Sequence, residues 1–526
     1  MSVDAPASGL TPNRDPLAPR VVEGDLAAGG EIPLGDRIKF GARNPENVIA
    51  VIGGVFVLVL CIGFFRFAAE SNPDNWVPVM VAVSLICITL PIIFLCTRAP
   101  RDVRLRRILI LALLIKLLFS GPRYYFNEVY YKGEGDAGRY DQAGGFLVEN
   151  LQTTGQFTIK GSELAGFPSE TRIVGYFTGC LYLIFGASNF GGYLVFSWLS
   201  WIGLLFFFRA FQIAQPNAPP YLAAMCIFFF PSMLFWPSSI GKDALMVFLI
   251  GLLTMGSARL LTGRKPLVGL LWIALAGGFM AEIRPHIVAI SAVALMASAL
   301  ASPKRDVGRR GAVGRLAVVI LLIPVLVSLI GRIDTVMGTS AGGSTSIESA
   351  FNENVDRTQI GGSAFAATPV RTPIDIPQAT ISVLYRPFVY EARSVPVLLS
   401  ALEGTLLLVL TVLGFRWLWR IGPVMYRSPF AAFCGTYVLA FVIAFSSIAN
   451  AGILSRQRVQ MYPLLMLLAC IAHEQHRLSE LAKEAKLAAS LEAGEASRNV
   501  GLPVPSQHPM PSEHPMSSPP APSTVP

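Results

Sequence analysis

Charged residues are scarce in this chain, and long apolar runs are abundant. Only 14% of the 526 residues are Asp, Glu, Lys or Arg, whereas 53% are hydrophobic, and the mean hydropathy is +0.55. One soluble core cannot bury such a surplus of apolar side chains. Many of the runs approach the roughly 20 residues that a helix needs to cross hydrocarbon. The composition therefore predicts an all-α, polytopic transmembrane helical bundle.

Cysteine and histidine are also rare, and their positions argue against several kinds of site. The seven cysteines all fall in apolar segments: Cys61, Cys87, Cys96, Cys180, Cys226, Cys434 and Cys470. This placement is typical of small buried side chains, and it disfavours a disulfide framework or a CxxC metal site. We predict no metal and no other cofactor, although the sequence leaves a divalent cation open.

The net charge of +9 does not indicate nucleic acid, because the Arg and Lys residues form short clusters beside apolar runs. Such clusters are the positive-inside pattern of a membrane protein. We therefore predict contact with membrane lipids and no nucleic-acid partner.

The chain divides into three predicted parts. Residues 1–46 are polar, do not open with a secretory signal, and are expected to be disordered and cytoplasmic, so that the first run near Val48 is a retained anchor. Residues 47–473 form the transmembrane domain. Residues 474–526 form a cytoplasmic tail, with a short solvated helix from His473 to Asn499 and then a disordered tract rich in Pro and Ser. The tail helix is available to a cytoplasmic partner.

Ten apolar runs are predicted spans, and three more are candidates. The ten are residues 48–65, 77–97, 108–120, 244–262, 267–283, 286–302, 316–331, 395–414, 430–448 and 459–473. The candidates are residues 173–187, 191–211 and 219–238.

Basic clusters set the predicted orientation of these runs. Five arginines between Arg98 and Arg107, and five basic residues between Lys304 and Arg315, mark cytoplasmic loops. The loops 121–172 and 332–394 are then outside. Three crossings between 172 and 242 would reverse this orientation, so one candidate must be re-entrant or interfacial. The proline-broken segment 219–238 and the short segment 173–187 both fit that role. About 12 spans result, with both termini inside a bacterial cytoplasmic membrane.

This topology places many charged residues at the outer ends of spans, where cations oppose the positive-inside bias. An anionic ligand such as phosphate is a reason for cations there. The predicted outer set is Asp136, Asp141, Lys242, Asp243, Arg284, His286, Arg386, Glu391, Arg456 and Arg458.

The first outer loop contains two carboxylates near three glycines. Asp136 and Asp141 are five residues apart and need not share a helical face, so one of them as a lone general base is the simpler interpretation. The alternative is a solvated acidic loop that caps the next helix.

The other charged outer residues each have a functional and a structural interpretation. Ser238 or Ser239 is a candidate cap for a helix whose N-terminus, beside Lys242, favours anions; the alternative is a neutral Lys242–Asp243 pair. Glu282 and Arg284 share a tight hairpin and can neutralise each other.

The remaining candidate functional residues are two arginines at the start of the last span and two charged residues within spans. Arg456 and Arg458 flank one residue, so that together they can grip phosphate oxygens. Glu403 and Lys116 are intramembrane polar residues, and Glu403 is either functional or paired with Lys116 or an arginine.

Several of these motifs together resemble the GT-C superfamily of membrane glycosyltransferases. The resemblance rests on Gly135 to Asp141, Ile184 to Ser188, Phe230 to Ser232, Lys242-Asp243 and Arg284-Pro285, within residues 108–300. It implies a GT-C-like fold, a polyprenyl-phosphate sugar donor, and a glycan or lipid acceptor in the cell envelope.

The resemblance also implies roles for individual residues. Asp136 is the first choice for the general base and Asp141 the second. Lys242, Asp243, Arg284, His286, Arg386, Arg456 and Arg458 are expected to form the phosphate or donor site. A polysaccharide polymerase of the O-antigen type is an alternative with the same chemistry. A lipid-linked glycan flippase is the alternative from another class, and it predicts charges near the midplane and two related halves.

Overall fold

A computed structural model describes residues 73–97, 102–159, 169–300, 355–356, 358–359 and 364–500 of the chain. Several predicted features lie outside these residues: the N-terminal segment 1–46, the spans 48–65 and 316–331, the basic cluster Lys304 to Arg315, and the end of the tail. Parts of both outer loops also lie outside them.

The described residues form helices joined by short loops, and no β-strand occurs among them. The helices before residue 301 are Pro73–Cys96, Val103–Leu118, Ser120–Tyr124, Asp136–Thr154, Ser169–Phe185, Asn189–Ala214, Pro220–Phe228, Pro231–Phe235, Lys242–Leu261, Pro266–Ile283 and Pro285–Leu300, with a π-helical segment at Tyr125–Tyr130. The later helices are Ile376–Tyr385, Val395–Leu413, Phe415–Leu418, Ile421–Arg427, Pro429–Phe445, Ala451–Gln457 and Tyr462–Val500, with 3-10 turns at Pro373–Asp375, Val389–Glu391 and Arg458–Gln460. The all-α prediction is confirmed for this part of the chain.

Four of the described helices are long and apolar enough to cross a membrane. They are Trp76–Cys96, Asn189–Ala214, Lys242–Leu261 and Pro266–Ile283. A fifth candidate is the pair Val397–Leu413 and Phe415–Arg427, which is bent by 73°. Other predicted spans form apolar helices of only 16 or 17 residues. The total of about 12 spans remains a prediction. It was derived from the positions of the basic clusters, and the cluster from Lys304 to Arg315 lies outside the described residues.

The three candidate segments between residues 172 and 242 differ in length. Asn189–Ala214 has 26 residues, and Ser169–Phe185 has 17. Segment 219–238 instead forms helices of nine and five residues, interrupted before Pro231. Nine residues rise about 14 Å, less than half of the roughly 30 Å of hydrocarbon in a bilayer. Segment 219–238 therefore has the geometry expected of a segment that does not cross.

The helix Lys242–Leu261 lies at the centre of the described bundle, held closely on two sides. A Cβ on Gly203 would lie only 2.6 Å from the backbone of Phe248, so this glycine permits close approach of the neighbouring helix Asn189–Ala214. A Cβ on Gly269 would similarly lie 2.6 Å from the carbonyl oxygen of Gly256. Small residues at such crossings let membrane helices pack backbone to backbone. This packing fixes the position of the first turn of Lys242–Leu261.

The neighbouring helix Pro266–Ile283 exposes a stripe of large apolar side chains. Leu267, Leu271, Leu275 and Phe279 recur every fourth residue and are all exposed. Such spacing places them on one face of the helix. Since an apolar face of this kind is stable against hydrocarbon, the stripe is the expected lipid contact of the bundle.

The last described helix runs without a break from Tyr462 to Val500. The stretch from His473 to Asn499, predicted as a short solvated helix, is helical and continues the predicted final span. The side chains of residues 481–492 are exposed, in agreement with the predicted solvated character. Alanine and glutamate favour helix here, so no local signal ends the helix at the predicted membrane boundary.

Candidate functional site

Four charged residues from separate segments meet at one end of the bundle. Arg456 Nη1 lies 2.9 Å from Asp136 Oδ2, and Arg456 Nε pairs with Asp243 Oδ2. The other oxygen of Asp243 lies 2.8 Å from Arg284 Nη2. Arg456 thus bridges two carboxylates, and Asp243 bridges two guanidinium groups. With the nearby Arg123, these residues are called the arginine–aspartate cluster below.

Asp243 occupies the first turn of Lys242–Leu261, where the helix dipole favours a negative charge. The predicted cap by Ser238 or Ser239 was wrong, since the N-cap residue is Gly241 and no side-chain cap forms. Ser238 Oγ instead donates to the Leu234 carbonyl at 2.5 Å. A simple Lys242–Asp243 pair does not describe the site either, because the Asp243 carboxylate binds two arginines from distant segments.

Arg284 lies between two helices, at the C-cap of Pro266–Ile283 and directly before Pro285. A single residue therefore separates the two helices. Glu282 is exposed, while Arg284 is buried against Asp243. The alternative in which Glu282 and Arg284 only neutralise each other is therefore wrong, because Asp243 is the carboxylate that pairs with Arg284.

Arg123 joins the cluster although the sequence analysis missed it. Its guanidinium lies 5.0 Å from the ring centroid of Trp236 and 5.2 Å from that of Phe235. Burial and then Arg456 lower the pKa of Arg123 to about 10, so the group remains charged at neutral pH. Arg123 begins the predicted outer loop. The same positive-inside reasoning that selected Arg284 would have selected it as well.

The cluster carries a surplus of positive charge. Its three arginines, Arg123, Arg284 and Arg456, face two carboxylates, Asp136 and Asp243. Two buried guanidinium nitrogens, Arg123 Nε and Arg284 Nη1, have no hydrogen-bond partner among the described residues. Buried N–H donors normally have a hydrogen-bond acceptor. A bound anion would supply the acceptor that these two nitrogens lack. The cluster is thus suited to an anion.

Exposure within the cluster is graded from the surface inwards. The Asp136 side chain is 47% exposed, while that of Asp243 is only 4% exposed. Arg456 lies between them, and Asp243 and then Asp136 raise its pKa above the usual value. A ligand approaching from solvent would meet Asp136 and Arg456 first, with Asp243 and Arg284 behind them.

The two predicted catalytic aspartates have separate environments. Asp136 is the first residue of the helix Asp136–Thr154 and faces Arg456. Asp141 accepts a hydrogen bond from the Tyr182 hydroxyl, and burial raises its pKa above the usual value. The structure therefore brings Asp136 into the cluster and directs Asp141 towards Tyr182, in keeping with their predicted five-residue spacing.

Arg458 and Arg456, predicted to grip a phosphate together, have different partners in the structure. Arg458 is 1% exposed, and its Nη1 donates to the Tyr462 hydroxyl at 3.3 Å. Glu403 is buried near Ser232, Arg458 and Tyr462. Because Arg456 lies in the last turn of the helix Ala451–Gln457 and Arg458 begins a 3-10 turn, the two side chains leave the backbone towards different neighbours.

Lys116 has a structural partner in place of Glu403. Its buried Nζ donates to the Met233 carbonyl at 2.5 Å and lies 3.4 Å from the Leu234 carbonyl. These carbonyls belong to the short helix Pro231–Phe235, which Lys116 therefore ties to the helix Val103–Leu118. The sequence offered Lys116 or an arginine as the partner of Glu403. The cation that lies near Glu403 is Arg458.

The remaining predicted donor-site residues divide into two groups. Lys242 and His286 lie near Arg284, with the His286 ring packed 5.8 Å from that of Phe445. Arg386 lies elsewhere, bound to Glu391 and donating to the Ala366 carbonyl at 3.1 Å. Burial alone would raise the pKa of Glu391, but the hydrogen bonds from Arg386 hold it below the usual value.

Among the described residues, no group of three or more His, Cys, Asp or Glu side chains is arranged to hold a metal. No family model, curated protein or solved structure matches the chain.

Proposed function

We propose that this protein is a membrane glycosyltransferase that moves a sugar from a polyprenyl-phosphate carrier to a cell-envelope acceptor on the outer face of the membrane. The observation that carries the proposal is the arginine–aspartate cluster, in which one exposed carboxylate lies beside three arginines. A lipid-phosphate leaving group needs cations, and an attacking hydroxyl needs a base. The cluster offers both within one ion-pair network.

In the proposed reaction, Asp136 accepts the proton of an acceptor hydroxyl. That oxygen forms a bond with the anomeric carbon of the donor sugar, and the bond between this carbon and the carrier phosphate breaks. The electron pair leaves with the phosphate, whose added negative charge Arg456, Arg284 and Arg123 stabilise. No metal is required for this balance, since guanidinium groups can supply the positive charge.

The ion pair between Asp136 and Arg456 gives the reaction an order. While the carboxylate pairs with Arg456, the oxygen that faces Arg456 is occupied by this contact. A donor phosphate that binds Arg456 competes with Asp136 and frees its carboxylate to accept a proton. Donor binding would thus precede activation of the acceptor.

Substitution of Asp136 by Asn is the direct test. We expect transfer from a radiolabelled polyprenyl-phosphate sugar in proteoliposomes to fall by about 10²–10⁴-fold, as for loss of a general base. Membrane insertion and abundance should not change, because Asp136 is exposed. The matched control is Glu149→Gln, an exposed carboxylate near the other end of the same helix. Undiminished transfer by Asp136→Asn would remove this residue as the base.

Deletion of the protein distinguishes the proposal from its alternatives. A transferase or a polymerase leaves lipid-linked sugars on the outer leaflet, whereas loss of a flippase confines them to the inner leaflet. A polymerase would further leave single repeat units on the lipid in place of long chains. Accumulation on the inner leaflet alone would overturn the proposed transferase.

A further inference from the structure

A cavity of about 340 Å³ lies beside the second outer loop, separate from the arginine–aspartate cluster. Its lining includes Phe365, Arg386, Tyr390, Arg393 and Ala451. We propose that this cavity is the acceptor subsite, which binds one or two sugar rings of the envelope glycan. The proposal rests on the proposed function, because it supplies the substrate that attacks the donor.

The wall of the cavity is a rigid polar frame. Arg386 binds Glu391, donates to the Ala366 carbonyl at 3.1 Å, and lies 4.6 Å from the Phe365 ring centroid. The Glu391 carboxylate also accepts from the Phe388 backbone N–H at 2.9 Å. Each of these contacts restrains a neighbour. Side chains held in this way present hydrogen-bonding groups to a ligand with little loss of entropy.

Tyr390 has the arrangement of a sugar-stacking ring. It is 84% exposed, yet its orientation is set by stacking on Phe388, with ring centroids 5.5 Å apart and planes at 17°. One face of the ring is thus covered and the rest is available. The C–H groups on the face of a sugar ring pack well against the electron-rich face of an aromatic ring. Arg393 is exposed beside it and adds N–H donors that match hydroxyl oxygens.

A single short helix joins the cavity to the cluster. Ala451 lines the cavity and is the first residue of Ala451–Gln457, the helix that carries Arg456. Five residues of helix rise about 7.5 Å, roughly the length of one or two sugar rings. The opposite edge is tied to the same segment, because the Phe365 N–H donates to the Ala449 carbonyl at 2.8 Å. A glycan held in the cavity could therefore extend its terminal hydroxyl towards Asp136.

The test compares variants of the full chain in lipid nanodiscs. The probe is a mixture of fluorescently labelled oligosaccharides released by mild acid from the envelope of the source cells. Tyr390→Ala is expected to raise both the Kd for this probe and the acceptor KM about tenfold, a loss of about 1.4 kcal/mol, with kcat and donor KM within about twofold of the parent protein. Tyr390→Phe keeps the ring and should restore binding. Tyr426→Ala, at an exposed tyrosine of the helix Ile421–Arg427, is the matched control.

The outcomes separate the subsite from the function. Unchanged probe Kd and acceptor KM in Tyr390→Ala would overturn the subsite while leaving the transferase intact, as expected if Tyr390 only anchors the loop in lipid headgroups. Probe binding that depends on Tyr390, in a protein that transfers no sugar, would support the subsite and overturn the proposed function. Failure of the parent protein to bind the probe would overturn the subsite.

Discussion

Arg456 and Arg458 are separated by one residue, yet they belong to two different polar regions. Arg456 lies in the arginine–aspartate cluster, where Asp136 is 47% exposed. Arg458 is 1% exposed and lies among Glu403, Ser232 and Tyr462, with its Nε and Nη2 lacking partners among the described residues. The first region is partly open to solvent and the second is closed, although each contains guanidinium nitrogens without a partner among the described residues.

This difference in exposure indicates which charged side chains can leave one ion pair and bind a ligand instead. An ion pair at the surface is worth at most about 1 kcal/mol, so a ligand can displace Asp136 from Arg456 at little cost. A buried charge that loses its partner costs far more. The open cluster is therefore suited to turnover, and the closed region is suited to holding the short helix Pro231–Phe235 and the start of Tyr462–Val500 together. Three experiments follow, from the largest expected effect to the smallest.

The largest effect is expected from Asp243→Ala. Removing this buried carboxylate leaves Arg284 and Arg456 facing each other, which should destabilise the protein by about 3–5 kcal/mol and abolish transfer. Thermal unfolding in detergent measures the loss. Asp136→Ala is the comparison, because its exposed pair with Arg456 should contribute no more than about 1 kcal/mol. Equal unfolding midpoints for the two variants would contradict the expectation that the buried Asp243 contributes more to stability than the exposed Asp136.

A smaller effect, split between two properties, is expected when each arginine is replaced by glutamine. Arg456→Gln should lower kcat by about 10²–10³-fold, because it removes a charge beside the leaving phosphate. Arg458→Gln should instead lower stability by about 1–3 kcal/mol through its buried hydrogen bond. Transfer per folded molecule and the unfolding midpoint are measured for both. A kcat loss in Arg458→Gln as large as that in Arg456→Gln would place both arginines in one site.

The smallest effect is expected from Asp141→Asn. The amide oxygen still accepts from Tyr182, so transfer should remain within about fivefold of the parent protein, a change below about 1 kcal/mol. Because burial raises the pKa of Asp141, its contribution to stability is fully present below the usual pKa and is lost as pH rises through the raised value.

The Asp141→Asn variant should therefore lack this decline. Its unfolding midpoint, relative to that of the parent protein, should rise between acidic and neutral pH. A large loss of transfer in this variant would exchange the roles of Asp136 and Asp141.

Some parts of the site were predictable from sequence because they depend on the position of a residue along the chain. Asp136, Asp243, Arg284 and Arg456 were all selected because they lie at predicted outer ends of spans. Local context could not reveal that Asp243 pairs with two arginines, since its adjacent Lys242 offered a simpler partner. It also could not separate Arg456 from Arg458, because neighbouring side chains diverge where a helix becomes a 3-10 turn.

The sequence alone predicted a membrane protein, with which the apolar helices are compatible, and it determined the helical architecture of the described residues. Hydrophobic run length acts locally, since every backbone polar group in lipid must be satisfied within its own helix. Only the tertiary structure decided which charges meet. Asp136 and Arg456 are 320 residues apart and lie 2.9 Å from each other, because the packing of the helices brings distant segments together. Ion pairs between residues so far apart in the sequence depend on how the whole bundle packs, and no local sequence pattern predicts them.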